Sequence, residues 1–215
     1  MDSLDSITQR HTDPDEFAAA YLQYVGRLAS RLDPQAIGQF IRRLLEAREA
    51  SRTVFFLGNG GSAATASHFA NDVGIGTRAT KRPFRAMSLT DNAAVMTAVA
   101  NDDGYDQMFV RQLQVLMRPG DVVVAISASG NSPNVVEAVR YAREYGNAAI
   151  ALTGFDGGRL RQLADLTIHV PTPAGEYGPV EDLHMIIDHL VGAFLGRIIR
   201  EERENGLEPP FSTRQ

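Results

Sequence analysis

Two glycine-rich turns carry hydroxyl side chains in a pattern suited to holding an anion. The first is "GNGGSAA" at 58–64, directly after the apolar run "TVFFL", and the second is "SASGNSPNVVEAV" at 127–139, directly after "VVVAI". Glycines let a chain turn sharply at the end of a strand, and the helix that follows presents free N–H groups and the positive end of its dipole. The hydroxyls of Ser62, Ser127, Ser129 and Ser132 add donors for an anion's oxygens. Ser132 before Pro133 also has the form of a helix N-cap, an alternative use for that one hydroxyl. Capping does not account for four serines and several glycines in two such turns.

A second group of residues can do acid–base or metal chemistry. His68 and Asp72 lie four residues apart, on one face of the helix expected after the first turn. Near the C-terminus, "VEDLHMIIDH" sets Glu181, Asp182, His184, Asp188 and His189 on one helix. At ~100° per residue, Glu181, His184 and Asp188 project within roughly 60° of one another, with His189 about 80° from Glu181. His68, Asp72, Glu181 and His189 together suit either proton transfer or an N/O metal site, and part of the acidic run must be a solvated face.

The anion is best read as one phosphate monoester shared by both turns. A nucleotide P-loop is excluded, since no G-x-x-x-x-G-K-[ST] occurs. "GNGGSA" resembles a variant dinucleotide fingerprint, but Asp91 follows it by about thirty residues where ~20 is expected for the ribose ligand.

The elements that must position these groups are legible from periodicity. Apolar residues at helical spacing predict amphipathic helices over 14–32 and 35–48. "TVFFLG", "RAMSL", "VVVAI", "AAIAL" and "LTIHV" are strand-length apolar runs alternating with helical segments, which predicts an α/β fold with a parallel sheet buried on both faces. From Val180 a long helical stripe runs through Leu183, Ile187, Leu190, Phe194 and Ile198. The expected organisation is an N-terminal helical segment (1–34) contributing to oligomer packing, one domain over 35–203, and a flexible tail (204–215), with no repeats or low-complexity segments.

Composition narrows the function. With 215 residues, 44% hydrophobic and 22% charged, the chain is expected to be a globular protein, and no apolar run approaches the roughly 18 residues of a membrane span. A net charge of −5 argues against a nucleic-acid partner. The absence of cysteine excludes disulfides, thiolate metal sites and cysteine nucleophiles. A polar, acidic N-terminus without an apolar core predicts a cytoplasmic protein.

The motifs "GNGGSAATASHFANDV", "TAVANDDGYDQMF", "PGDVVVAISASGNSPNVVEAV" and "ALTGFDGGRL" resemble the sugar isomerase (SIS) domain, especially its phosphoheptose isomerase group, over about residues 35–200. The resemblance implies a doubly wound five-stranded parallel sheet, a phosphosugar ligand and a homotetramer with active sites between subunits. It carries the family's phosphate pocket onto Asn59, Gly60, Gly61, Ser62, Ser127, Ser129, Asn131 and Ser132. Ala128 stands where many relatives have threonine, so one hydroxyl is lost and the backbone N–H remains.

It also carries a metal, often Zn2+, onto His68, Asp72, Glu181 and His189, of which Asp72, Glu181 and His189 are the implied acid–base groups. Here Asp72 replaces a glutamate and Glu181 an amide. Gly76 stands in place of a family arginine, with Arg78 as a nearby substitute; Gly178 stands in place of an aspartate; and Asn92 sits where the isomerases often have aspartate. The implied reaction is aldose–ketose isomerisation of a phosphosugar through an enediol, with sedoheptulose 7-phosphate as the first substrate to consider. Alternatives are a non-catalytic phosphosugar-binding adaptor similar to the relative that associates with the replication initiator, and an isomerase of another phosphosugar.

Overall fold

The computed structural model describes residues 3–209. In chain order the elements are α1 (Leu4–Arg10), α2 (Pro14–Ala29), α3 (Pro34–Glu49), β1 (Thr53–Gly58), α4 (Gly61–Asn71), β2 (Arg85–Ser88), α5 (Ala93–Asp102), α6 (Met108–Leu116), β3 (Val122–Ser127), α7 (Pro133–Glu144), β4 (Ala148–Thr153), α8 (Gly158–Leu163), β5 (Leu166–His169) and α9 (Tyr177–Glu204). A π-helical turn, Asp72–Gly76, continues α4. The starts of α2 and α3 follow from their caps: Asp13 and Asp33 accept backbone N–H groups just ahead of Pro14 and Pro34, whose missing N–H costs nothing in a first turn.

The five strands are all parallel, in the order β2-β1-β3-β4-β5. Alternation along each strand divides the apolar side chains between two cores. Val54, Phe56, Val124, Ile126, Ile150 and Leu152 meet Phe40 and Leu44 of α3, Phe69 of α4 and Ile187 and Val191 of α9 on one face. Phe55, Leu57, Val123, Ala125, Ala149 and Ala151 meet residues of α6, α7 and α8 on the other. The inner strands β1, β3 and β4 are buried on both faces and read as continuous apolar runs, whereas the edge strands β2 and β5 are partly exposed.

β1 and β3 are hydrogen-bonded neighbours, yet α4 packs on one face and α7 on the other. The chain therefore parts to opposite sides after these two strands. In an open α/β sheet that divergence leaves a crevice at the strands' carboxyl ends, where ligands bind. Both glycine-rich turns open there.

The N-terminal helices belong to the same body. Ile7 of α1 and Tyr24 and Leu28 of α2 form a small core with Val170 and with Val180 and Leu183 of α9. The phenol of Tyr24 donates to Glu176 (2.5 Å), whose other oxygen accepts the Leu4 amide (2.7 Å). Helices α1 and α2 thus pack on their own chain.

The expected tail is also anchored in part. Glu208 is buried and accepts the amides of Thr80, Lys81 and Arg82, while Arg48 makes a paired contact with Glu202 (2.7 Å each). The tail's last residues, 210–215, lie outside the described ones.

Candidate active site

The two turns build one small cavity of ≈ 130 Å³, lined by Asn59, Ser62, Ser127, Ala128, Ser129, Ser132, Tyr177 and Glu181 together with Ile126. Each turn needs glycine for a definite reason. Gly130 has φ +64°, and a Cβ there would fall 2.0 Å from the Gly157 carbonyl oxygen. Gly61 opens α4, and a Cβ there would fall 2.2 Å from Glu181 Oε2.

Ser132 holds the N-cap position of α7, but its hydroxyl makes no capping bond and instead lies 3.4 Å from Ser127 Oγ. Ser62 and Ser127 are buried, with no charged group among the hydroxyls except Glu181. Burial, and then the neighbouring Asp182 carboxylate, pushes the Glu181 carboxyl above its usual range.

The asparagines hold the scaffold. Asn59 and Asn134 exchange amide hydrogen bonds (2.9 Å each), which ties the first turn to α7, and Tyr105 donates to Asn59 Oδ1 (3.0 Å). Asn131 does not line the cavity. Its amide donates to the Ser129 carbonyl (3.0 Å) and its oxygen accepts the Arg159 amide (3.1 Å), so its side chain braces the loop. Asn92 is also elsewhere: its side chain caps α5, accepting from the Val95 amide (3.1 Å), and it lines a separate apolar cavity beside β2.

The acid–base group lies further along α4. His68 Nε2 is 3.3 Å from His189 Nε2, 3.5 Å from Asp72 Oδ2 and 3.7 Å from Asp188 Oδ2. One ligand atom from each of the four residues lies within 4.8 Å of all the others. Asn71 donates to Asp72 Oδ1 (2.9 Å) and so directs the other oxygen towards His68. Asp188 is fully buried, and neither of its oxygens has a hydrogen-bond partner. Burial, and then the nearby Asp72 carboxylate, pushes it up to about 7.

This group differs from the expected one in one member. Glu181 precedes His189 by eight residues, about 12 Å along α9, and its carboxylate lies against Gly61, away from His68. Glu181 faces the serine cavity, and Asp188 occupies the place expected for it.

Two imidazole nitrogens and two carboxylate oxygens are a donor set that suits zinc. Ligands about 2.1 Å from a tetrahedral ion stand about 3.4 Å apart, close to the three separations measured from His68. A single Nε2–H cannot serve three acceptors at once, whereas a cation satisfies all of them. The residues fit a divalent metal.

A family model described as the SIS domain matches residues 20–154. The chain belongs to the SIS-domain family. A probable phosphoheptose isomerase from Thermoplasma acidophilum is 36% identical over 178 residues, covering 83% of this chain and 97% of that protein. A phosphoheptose isomerase from Geobacter sulfurreducens is 41% identical over 189 residues, covering 86% and 95%. The solved structure of the phosphoheptose isomerase from Neisseria gonorrhoeae superposes with a TM-score of 0.78 at 33% identity, covering 86% of this chain and all of that one.

Within this SIS domain, Tyr177 had no sequence signal, and Asp188 was visible only as a member of the acidic cluster on α9. Tyr177 reaches the cavity from the first turn of α9, its ring set edge-on to Phe155 at 5.0 Å. Asp188 is one of several acids in a polar run, and only its burial distinguishes it. The Arg78 carbonyl accepts from Arg203, which lies fourteen residues past His189, roughly 21 Å along α9.

Proposed function

We propose that this SIS-domain chain is a phosphosugar isomerase that interconverts sedoheptulose 7-phosphate and D-glycero-D-manno-heptose 7-phosphate. The observation that carries the reading is the spacing of its two sites along one helix. Ser62 in the cavity and His68 in the cluster are six residues apart on α4, about 9 Å. An extended seven-carbon phosphate spans about 10 Å from phosphorus to C1 at normal bond lengths. With phosphate among the serines, C1 and C2 reach the His68 cluster. The phosphoheptose isomerase relatives support the same substrate.

The serine hydroxyls and the free N–H groups of α4 and α7 bind the phosphate and fix the sugar's register. Asp72, half-buried, takes the proton from C1 and returns it to C2. His189, exposed at the rim, moves the hydroxyl proton between O1 and O2, so that the enediol forms and collapses to the aldose. Glu181, its carboxyl raised above the usual range by burial and then by Asp182, lines the phosphate end of the cavity. Zinc held by His68, Asp72 and His189 would supply Lewis-acid polarisation of the sugar oxygens.

We further propose a cytoplasmic homotetramer with sites near subunit boundaries. Every residue of α5 keeps solvent exposure in the single chain despite its apolar sequence, and Ile186, Leu190 and Phe194 form an exposed stripe on α9. Among the described residues no helix is long and apolar enough to cross a membrane. A purely ligand-binding adaptor is disfavoured by the intact His68–Asp72–His189 group.

The test is turnover of sedoheptulose 7-phosphate by the assembled, zinc-supplemented protein, with fructose 6-phosphate and ribulose 5-phosphate as shorter controls. Heptose 7-phosphate formation that falls sharply for Asp72→Asn supports the reading. No turnover by an assembled protein overturns it.

A further inference from the structure

We propose that Asp188, and not Glu181, supplies the second carboxylate of the cation site, which is thereby completed within one subunit. The inference rests on the proposed isomerase only in taking zinc as the ion. Its grounds are geometric.

Asp188 sits on α9 with its carboxylate fully buried, 3.7 Å from His68 Nε2, and both oxygens lack a hydrogen-bond partner. A buried, unpartnered carboxylate is costly, and one that faces two imidazoles and a second carboxylate is relieved by a cation at their centre. The polar groups gathered around the Asp188 carboxylate are those of His68, Asp72 and His189. His68 and Asp72 come from α4 and the π turn, and Asp188 and His189 are consecutive on α9. Two elements packed against each other in one chain therefore assemble all four donors.

Glu181 stands about 12 Å up the same helix, against Gly61 and among the serines. Its carboxylate is not among the four donor groups that converge beside His68. With Asp188 holding the ion from below, the Asp72 carboxylate need not be the only anion on it and remains available to the substrate proton. Asp188 itself is too deeply buried to touch a sugar. It is a ligand and positioning residue.

The experiment measures metal binding without substrate. The full-length protein is stripped with chelator, and zinc affinity is read by competition with a chromophoric chelator, alongside the zinc-induced rise in Tm and the visible spectrum of the Co(II) form. Asp188→Asn is expected to lower zinc affinity by about tenfold or more, to abolish most of the Tm rise and to weaken the intense tetrahedral Co(II) bands. Glu181→Gln is expected to leave all three unchanged. Asp188→Asn removes an unpaired buried charge, so its metal-free form should fold at least as stably as the wild type. Should it misfold, Asp188→Leu provides the same comparison.

Wild-type affinity in the Asp188 variants, loss of affinity in Glu181→Gln, or no zinc binding by the wild type would each overturn the inference. Turnover is scored separately. Isomerase activity with Asp188-independent zinc binding sinks this inference alone, and Asp188-dependent zinc binding without isomerase activity sinks the isomerase reading alone.

Discussion

The Glu181 carboxylate packs directly against Gly61, so closely that a methyl group on Gly61 would fall 2.2 Å from Oε2. A methyl group at the first residue of α4 would therefore meet a side chain from α9, which would have to move aside. Gly61→Ala should displace Glu181 and the start of α4 together. The expected result is a loss on the order of 100-fold in kcat/KM with the sheet intact, read by steady-state kinetics beside circular dichroism. Unchanged kinetics would show that the contact has no part in binding.

Ser132 separates capping from ligand binding. Its hydroxyl does not cap α7, so Ser132→Ala should change stability by less than about 0.5 kcal/mol, where a lost cap costs typically ~1. A lost hydrogen bond to a charged phosphate should instead raise KM about tenfold with little change in kcat. Thermal denaturation and kinetics on the same preparation decide between the two.

His184 makes the fold sensitive to acid. It is fully buried on the inner face of α9, its Nε2–H directed at the Thr153 carbonyl (3.4 Å), and burial pushes its pKa down from 6.5 to about 4. The unfolded chain therefore binds this proton more readily than the folded one. The contribution is fully present above pH 6.5 and is lost as pH falls through about 4, on the order of 3 kcal/mol in all. His184→Leu should flatten the Tm profile over that window, and the Thr153 carbonyl keeps its bond from the Val170 amide (2.8 Å).

Glu208 anchors the C-terminal segment, and its pH dependence lies lower. Burial raises the carboxyl, but hydrogen bonds from the Lys81, Thr80 and Arg82 amides and the Thr80 hydroxyl outweigh it and hold the pKa at about 2. Its stabilisation is present above the ordinary glutamate value of 4.5 and is lost as pH falls through about 2. Glu208→Ala should cost about 1–3 kcal/mol near neutral pH and speed amide exchange at residues 80–82. Protection that survives the substitution would mean the segment is held some other way.

Much of this protein was legible in one dimension. The five strands appear as short apolar runs because a parallel sheet covered on both faces demands apolar residues at successive positions, and the turns at 58–64 and 127–139 appear because a strand-to-helix reversal demands glycine. Ser62, Ser127, Ser129 and Ser132 could be assigned to one anion for the same local reason. His68 and Asp72 are neighbours through helical spacing alone.

What remained for the tertiary structure was which groups on different elements meet. The spacing within α9 sets Glu181 and Asp188 on nearly the same face and says nothing of depth. The sheet order, with β1 beside β3, brings two turns seventy residues apart into one cavity, and the packing of α9 across α4 decides that Glu181 meets Gly61 while Asp188 meets His68. The Asn131 and Asn92 side chains bond to local backbone groups, which residue type alone does not announce. Residue type and periodicity are local properties and determine elements and chemical repertoire; the partner of a side chain depends on burial and crossing geometry, which only the packed chain defines.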